Sequence, residues 1–256
     1  MTDASEATRY LVEHAHYTED LALWRTVAEH VDGAVLDIGC AAGRLALELA
    51  RDGCRVVALD ADPTMLHALA VNAAQAGPEV GGRVTTMCAD MRTFSLDGPV
   101  ALAIAAMNTL QVLLTPVDQL ACLGRIRASL APEGEFWFDV SMPDLGDVQS
   151  SIGVVHGGEV VDDPTRGVRL AHAFWYEWVD PITQTARFTH RIDETAADGA
   201  VRAFFRHHEV HLFTPLELGH LLARAGFDVL HVWGDFEGAP LEAGAERQVY
   251  RCRVVS

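Results

Sequence analysis

The stretch that decides the fold is Val35-Leu36-Asp37-Ile38-Gly39-Cys40-Ala41-Ala42-Gly43-Arg44. Apolar residues around a single acid read as a buried strand, and the small-residue step after Ile38 reads as a tight turn that opens a helix. Leu45, Leu47, Leu49 and Ala50 give that helix its apolar side. The next unit repeats the pattern, with residues 55–60 as a strand ending in Asp60. Asp62-Pro63 then opens a helix to about residue 75, because proline fits a first helical turn. Residues 83–89, 100–107 and 136–141 read as three further strands, with a helix over 116–130. Strands alternating with helices of roughly ten to fifteen residues pair in parallel through right-handed crossovers. The expected fold class is therefore α/β, a Rossmann-like doubly wound sheet, with ligands at the carboxyl ends of its strands where the chain order reverses.

Beyond residue 153 the rhythm changes. Residues 168–179, 185–194 and 200–212 alternate like strands, with Asp180-Pro181 and Asp198-Gly199 as turns. This predicts an antiparallel β insertion over 149–212. The α/β pattern resumes at Thr214-Pro215, with a helix capped by Gly226 and strands at 227–233 and 248–254. A single domain is expected, with an amphipathic opening (1–32), an α/β core (33–148 and 213–256) and the insertion between the core's two parts.

Composition narrows the chemistry. The 256 residues are 50% hydrophobic and 21% charged, which excludes a disordered or collagen-like chain. All nineteen basic residues are arginine, so Schiff-base and Walker-lysine chemistry is absent. A formal net charge of -17 lacks the cationic patch that nucleic-acid binding needs, so a small-molecule partner is expected and nucleic acid is not. The five cysteines are widely spaced without a CxxC pair and read as reduced thiols. No apolar run approaches the ~20 residues that span a bilayer, so no membrane partner and a cytoplasmic address are expected.

Glycine and alanine after the first strand let a ligand approach the backbone and helix N-terminus, while an acid at the next strand end can take both ribose hydroxyls. A dinucleotide fingerprint would put its second and third glycines on Ala41 and Arg44, so the dehydrogenase reading fits poorly. The chain resembles the class I S-adenosylmethionine-dependent methyltransferases, small-molecule branch with a β-strand insertion. In that family's D-x-G-x-G-x-G pattern Asp37, Gly39 and Gly43 match, and Ala41 stands at the middle glycine. RVVALDADPTML, ADMRTF, Met107-Asn108-Thr109-Leu110-Gln111, LAPEGEFWFDV and the late GFDVLHVWGDFEG extend the likeness over nearly the whole chain.

The resemblance implies S-adenosylmethionine as cofactor and S-adenosylhomocysteine as product. It implies that Asp37, Gly39, Cys40, Ala41 and Gly43 face the methionine part, that Asp60 and Ala61 meet the ribose, and that Asp90 and Met91 hold the adenine edge. Tyr17 lies in the opening that relatives fold over the cofactor as a helical lid, and Met107 and Asn108 sit where strand four meets the transferring methyl. Gln111 joins the substrate side. The following position, histidine in many relatives, is Val112 here, so a base from that loop is in doubt.

The insertion carries the substrate clues. Read as a regular strand, Leu170, His172, Phe174, Tyr176 and Trp178 share one face, and Phe188, His190 and Ile192 form another. Such a surface suits a flat or apolar acceptor that loses a proton, with His172 as candidate base and Asn108 beside the methyl. The alternative is that these rings form a hydrophobic core between the insertion and the sheet, the commoner role for any one such residue. His207, Glu209 and His211 also alternate onto one face, but alternation produces such sets without a ligand, and no metal is expected. The function expected is methyl transfer to an N or O atom of a small metabolite by in-line displacement. The alternatives are a non-methylating reaction on the same cofactor, such as a cyclisation, and a non-catalytic partner subunit. An antiparallel edge also allows a homodimer.

Overall fold

The computed structural model describes residues 14, 17–29, 31–143, 145–163 and 166–255. In chain order the elements are α1 (Leu21–Glu29), β1 (Ala34–Ile38), α2 (Arg44–Arg51), β2 (Arg55–Asp60), α3 (Pro63–Gln75), α4 (Pro78–Gly81) and β3 (Val84–Cys88). There follow β4 (Val100–Ala105), a 3-10 turn (Thr109–Val112), α5 (Pro116–Ser129), β5 (Leu130–Ser141) and α6 (Leu145–Ser150). The chain continues with β6 (His156–Asp163), β7 (Val168–Asp180), β8 (Thr185–Thr195), β9 (Val201–His211), α7 (Pro215–Ala225), β10 (Phe227–Trp233) and β11 (Arg247–Val254). These fall into two compact units. One takes in the described residues up to Leu110 with Thr115–Met142 and the chain from Thr214 onward; the other is Gln111–Leu114 with Pro143–Phe213.

The first unit is built on a seven-stranded sheet of order β10-β11-β5-β4-β1-β2-β3. Strands β1 to β5 run parallel, and β11 joins antiparallel between β5 and β10. The order reverses between β1 and β4, so the turns leaving those two strands lie side by side at a switch point. Local chemistry sets the helix boundaries. Asp62 accepts the Thr64 N–H ahead of Pro63, Thr214 and Glu217 form a capping box, and Gly226 ends α7 at φ 82°. Phe138 lies between Phe136 and Tyr250 with ring centroids 5.0 and 4.8 Å away, all three buried, and each such ring contributes about 1.5–3 kcal/mol of burial energy. Trp24 on α1 is fully buried and donates its indole N–H to Asp20 at 2.9 Å, which fastens the described part of the amphipathic opening. The remainder of that opening lies outside the described residues.

The second unit is a four-stranded antiparallel sheet, β6-β7-β8-β9. Three of its strands stand where alternation predicts them, and β6 is added; the glycine pair at 157–158 interrupts the pattern of β6, and its register with β7 shifts between Gly157 and Val160. The unit begins at Pro143 and includes Gln111–Leu114, so its limits differ from the expected 149–212. A second shift corrects the expected aromatic face. Tyr176 pairs with Phe188 but Trp178 pairs with Arg187, so Glu177 is a bulge residue. The extra residue turns Trp178 to the opposite face from Phe174 and Tyr176. Glu177 is held there by the Thr189 hydroxyl, by His207 Nδ1 at 3.1 Å and by Arg187 at 3.1 Å. Among the described residues no helix is long and apolar enough to cross a membrane.

The turn between β1 and α2 is the tightest packing point near the switch. Gly43 has φ 88°, and a Cβ there would lie 2.1 Å from Leu69 Cδ1 of α3. Gly43→Ala combines left-handed strain with overpacking, and we expect it to cost about 2–4 kcal/mol in denaturant unfolding. Ala41 sits at φ 45°, where glycine is freer, so Ala41→Gly is expected to stabilise the fold by up to about 1 kcal/mol in the same assay.

Candidate active site

The site grows from three strand ends. After β1 the chain passes through positive φ at Gly39 (70°), Ala41 (45°) and Gly43 (88°), with the Gly39 and Cys40 N–H groups donating to the Leu59 carbonyl and the Gly43 N–H to the Cys40 carbonyl. Gly39 is required for space as well, since a Cβ would lie 2.7 Å from Thr109 Cγ2. Asp60, at the end of β2, accepts the Ala41 N–H on Oδ2 and the Asp62 N–H on Oδ1, both at 2.8 Å. Ala61 beside it is exposed, and Cys40 is buried, with burial pushing its thiol pKa up. After β3 the Asp90 carboxylate pairs with Arg92 at 2.6 Å, and that arginine holds its pKa below the usual range. Met91 next to it is half-buried.

Asp37 is the unusual member. It lies in β1, 2% exposed, and its Oδ2 is buried without a hydrogen-bond partner among the described residues. Desolvation pushes its pKa up to about 7, against the attraction of Arg44 and a backbone hydrogen bond from Ala46, with Asp60 and Asp20 adding repulsion. Arg44 is itself committed, holding Asp20 through two bonds of 2.7 and 2.6 Å and the Tyr17 carbonyl at 3.1 Å. Its guanidinium carbon is 5.2 Å from the centre of the Tyr17 ring. Tyr17 thus lies against the start of α2. Its hydroxyl is buried and unbonded among the described residues, and desolvation raises its pKa to about 12.

The exit of β4 is shaped by β5. Met107 (φ 54°) and Asn108 (φ 63°) are both left-handed. The Met107 N–H donates to Asp139 Oδ1 at 2.7 Å, and Asn108 Oδ1 accepts from the Ser141 N–H at 2.7 Å and the Ser141 hydroxyl at 3.1 Å. Asp139 is fully buried and bonded to Arg247 at 2.8 Å; burial raises its pKa to about 6 despite that arginine. Sequence reasoning passed over Asp20, Arg44, Asp139 and Arg247. The available signal was Asp139 itself, an acid inside the apolar run Phe136–Val140, as Asp37 is inside its own.

In the second unit Gln111 is 4% exposed, and its amide donates to the His211 carbonyl at 3.0 Å. It therefore ties its own loop to the end of β9. Phe174, Tyr176, His172 and His190 do share a face. His156 stacks on Phe174 (5.0 Å) and His208 on Phe188 (4.9 Å), and His190 meets Phe174, Phe188, His172 and His208 at 6.2–6.3 Å. His207 and His211 lie on the other face, with Trp178. No group of three or more His, Cys, Asp or Glu suited to a metal ion occurs among the described residues.

Comparison with known proteins bears on this geometry. Residues 35–134 match a family model described as a methyltransferase domain. A carboxy-S-adenosyl-L-methionine synthase from Vibrio parahaemolyticus is 30% identical over 106 residues, 39% of this chain and 40% of that protein, so the match spans about two fifths of the curated relative. Among solved structures, the CcbJ methyltransferase from Streptomyces caelestis has a TM-score of 0.75 at 24% identity, covering 93% of this chain and 90% of that one. A S-adenosylmethionine-bound amino pentose methyltransferase, CalS10, from Micromonospora echinaspora has a TM-score of 0.69 at 23% identity, covering 94% and 96%. The fold is that of the class I S-adenosylmethionine-dependent methyltransferases. Within that fold, residues 35–134 are similar to the methyltransferase-domain family.

Asp37 makes a prediction about pH. Its folded pKa, about 7, is above the ordinary 3.8, so the folded state holds a proton that the unfolded state has released between those values. Its contribution to stability therefore falls as pH rises from about 4 to about 7. Asp37→Asn is expected to flatten that part of the stability profile, measured as urea midpoints at a series of pH values.

Proposed function

We propose that this chain transfers a methyl group from S-adenosylmethionine to an N or O atom of a small, aromatic or sugar-like metabolite. The observation that supports the reading is the buried Oδ2 of Asp37, without a hydrogen-bond partner among the described residues, beside the small-residue turn Gly39–Gly43. Asp60 and Asp20 are close enough to repel it, against one arginine, Arg44. That excess of negative charge in a poorly solvated place suits a cationic ligand. When bound, S-adenosylmethionine supplies a methyl group already activated on a sulfonium.

The chain's own work is then placement and proton management. Asp37 offsets the ligand's positive charge, the Gly39–Gly43 turn accommodates its methionine part, and Asp60 with Ala61 meets the ribose. Asp60 can do so without releasing its two backbone N–H bonds, since a carboxylate has about four acceptor sites. Asp90 and Met91 border the adenine, and Tyr17 and Met107 complete the enclosure. In-line transfer needs the acceptor and methyl held within about 3–3.5 Å, and an amine or hydroxyl acceptor must lose a proton. His172, with Phe174 and Tyr176 on the same strand face, is the group assigned to that proton and to the acceptor; Asn108 lines the transfer point. An amino-sugar acceptor is in keeping with the likeness to CalS10, an amino pentose methyltransferase. The Vibrio relative's name supports a second reading, a reaction on S-adenosylmethionine other than methylation.

Calorimetric titration tests the donor site. S-adenosylmethionine and S-adenosylhomocysteine are expected to bind one to one, with Asp60→Ala weakening both at least tenfold. Because a cation favours the ionised form of Asp37, affinity for S-adenosylmethionine is expected to rise as pH passes about 7, more than for the uncharged-sulfur product. The same rise should vanish in Asp37→Asn. A folded wild-type chain that binds neither ligand overturns the reading. Mass analysis of products from amino-sugar and phenol panels then separates a gain of one methyl group from non-methylating chemistry.

A further inference from the structure

Two consecutive left-handed residues without glycine, Met107 and Asn108, leave β4 at the switch point. Each such conformation costs about 1–3 kcal/mol and persists only where neighbouring structure over-determines it. Here the determining groups come from one strand. Asp139 and Ser141 are two apart on β5, so they project from the same face, and they bind consecutive residues of the turn. Ser141 stands directly opposite Arg247 in the β5–β11 register. Arg247 reaches back to Asp139, while its guanidinium carbon lies 4.7 Å from the centre of the Phe236 ring. The N–H of Met142 donates to the Glu246 carbonyl at 2.9 Å, which fixes the spacing of the two strands there. A fully buried carboxylate is costly unless it is both paired and hydrogen-bonded, and Asp139 receives one bond of each kind.

We propose that Asp139, held by Arg247, is a positioning residue: the pair forces the Met107–Asn108 turn into the left-handed shape that forms the wall of the donor site. This rests on the reading of Met107 as a donor contact given above. Asp139 acts through the turn and touches neither donor nor acceptor. Its role needs the charge as well as the acceptor oxygen, because a neutral amide in its place leaves Arg247 unpaired and frees the carbonyl to rotate. The antiparallel end of the sheet, remote in sequence, thereby sets the geometry of the methyl-transfer region.

The test pairs two readouts on the full chain. Hydrogen–deuterium exchange across residues 106–110 reports the turn directly, and calorimetry with S-adenosylhomocysteine reports the donor site. Asp139→Asn and Arg247→Met are each expected to raise exchange in that segment at least tenfold and to weaken the ligand at least fivefold, with exchange in β1 and β2 unchanged. Arg251→Met, which removes the Glu135 pair elsewhere on β11, serves as the control and should move neither readout. Unchanged exchange at 106–110 in both variants overturns the proposal, as does an equal rise throughout the sheet. A loosened turn with undiminished affinity also overturns it, because the wall would then be irrelevant to the donor. A wild-type chain that binds no S-adenosylhomocysteine refutes the donor reading instead, and exchange alone then decides whether the pair sets the turn.

Discussion

The arrangement depends on a single carboxylate spanning two backbone amides. Asp60 holds Ala41 N–H on one oxygen and Asp62 N–H on the other, so the glycine turn after β1 and the start of α3 after β2 are parts of one hydrogen-bonded unit. Without that bridge the strained Ala41 would have no reason to remain at φ 45°, since alanine prefers right-handed or extended backbone. Gly43 completes the link on the other side, where contact with Leu69 brings α2 and α3 close. The parallel β1–β2 pairing supplies the register, Ile38 opposite Leu59, that brings these groups together.

A second constraint is electrostatic. Buried acids are expensive to ionise, and three in the first unit are answered differently. Asp20 is held bidentately by Arg44, and Asp139 is matched by Arg247 and a backbone N–H. Asp37 keeps a bare oxygen. Two of the three carboxylates are thus neutralised by arginine, while burial leaves the third with its pKa raised to about 7.

How much of this was readable from sequence follows the range of each interaction. The strand-turn-helix units, the Asp62-Pro63 start, the Thr214 cap and the Gly226 stop are local, and residues within four positions of one another determine them. Asp60 and Gly39 were legible as positions, although the Ala41–Asp60 bond was not. The Asp139–Arg247 pair joins residues 108 apart and depends on β11 entering antiparallel, which no short pattern encodes. Trp178 was misplaced for a similar reason. Alternation assumes unbroken register, and the bulge at Glu177 arises from contacts to Thr189 and Arg187 on a neighbouring strand.

The division into units carries an evolutionary consequence. Every residue assigned to the donor belongs to the first unit, whereas the sheet carrying the assigned acceptor residues is one continuous segment, Pro143–Phe213, plus the four residues Gln111–Leu114. On those proposed assignments, gene-level exchange of the segment alone would import a new acceptor surface while leaving the donor residues in place. It would also separate Gln111 from the His211 carbonyl it binds. Diversification by recombination is therefore expected to follow two crossover points and one covarying outlier, with the short loop after β4 keeping pace with the strand end that receives its hydrogen bond.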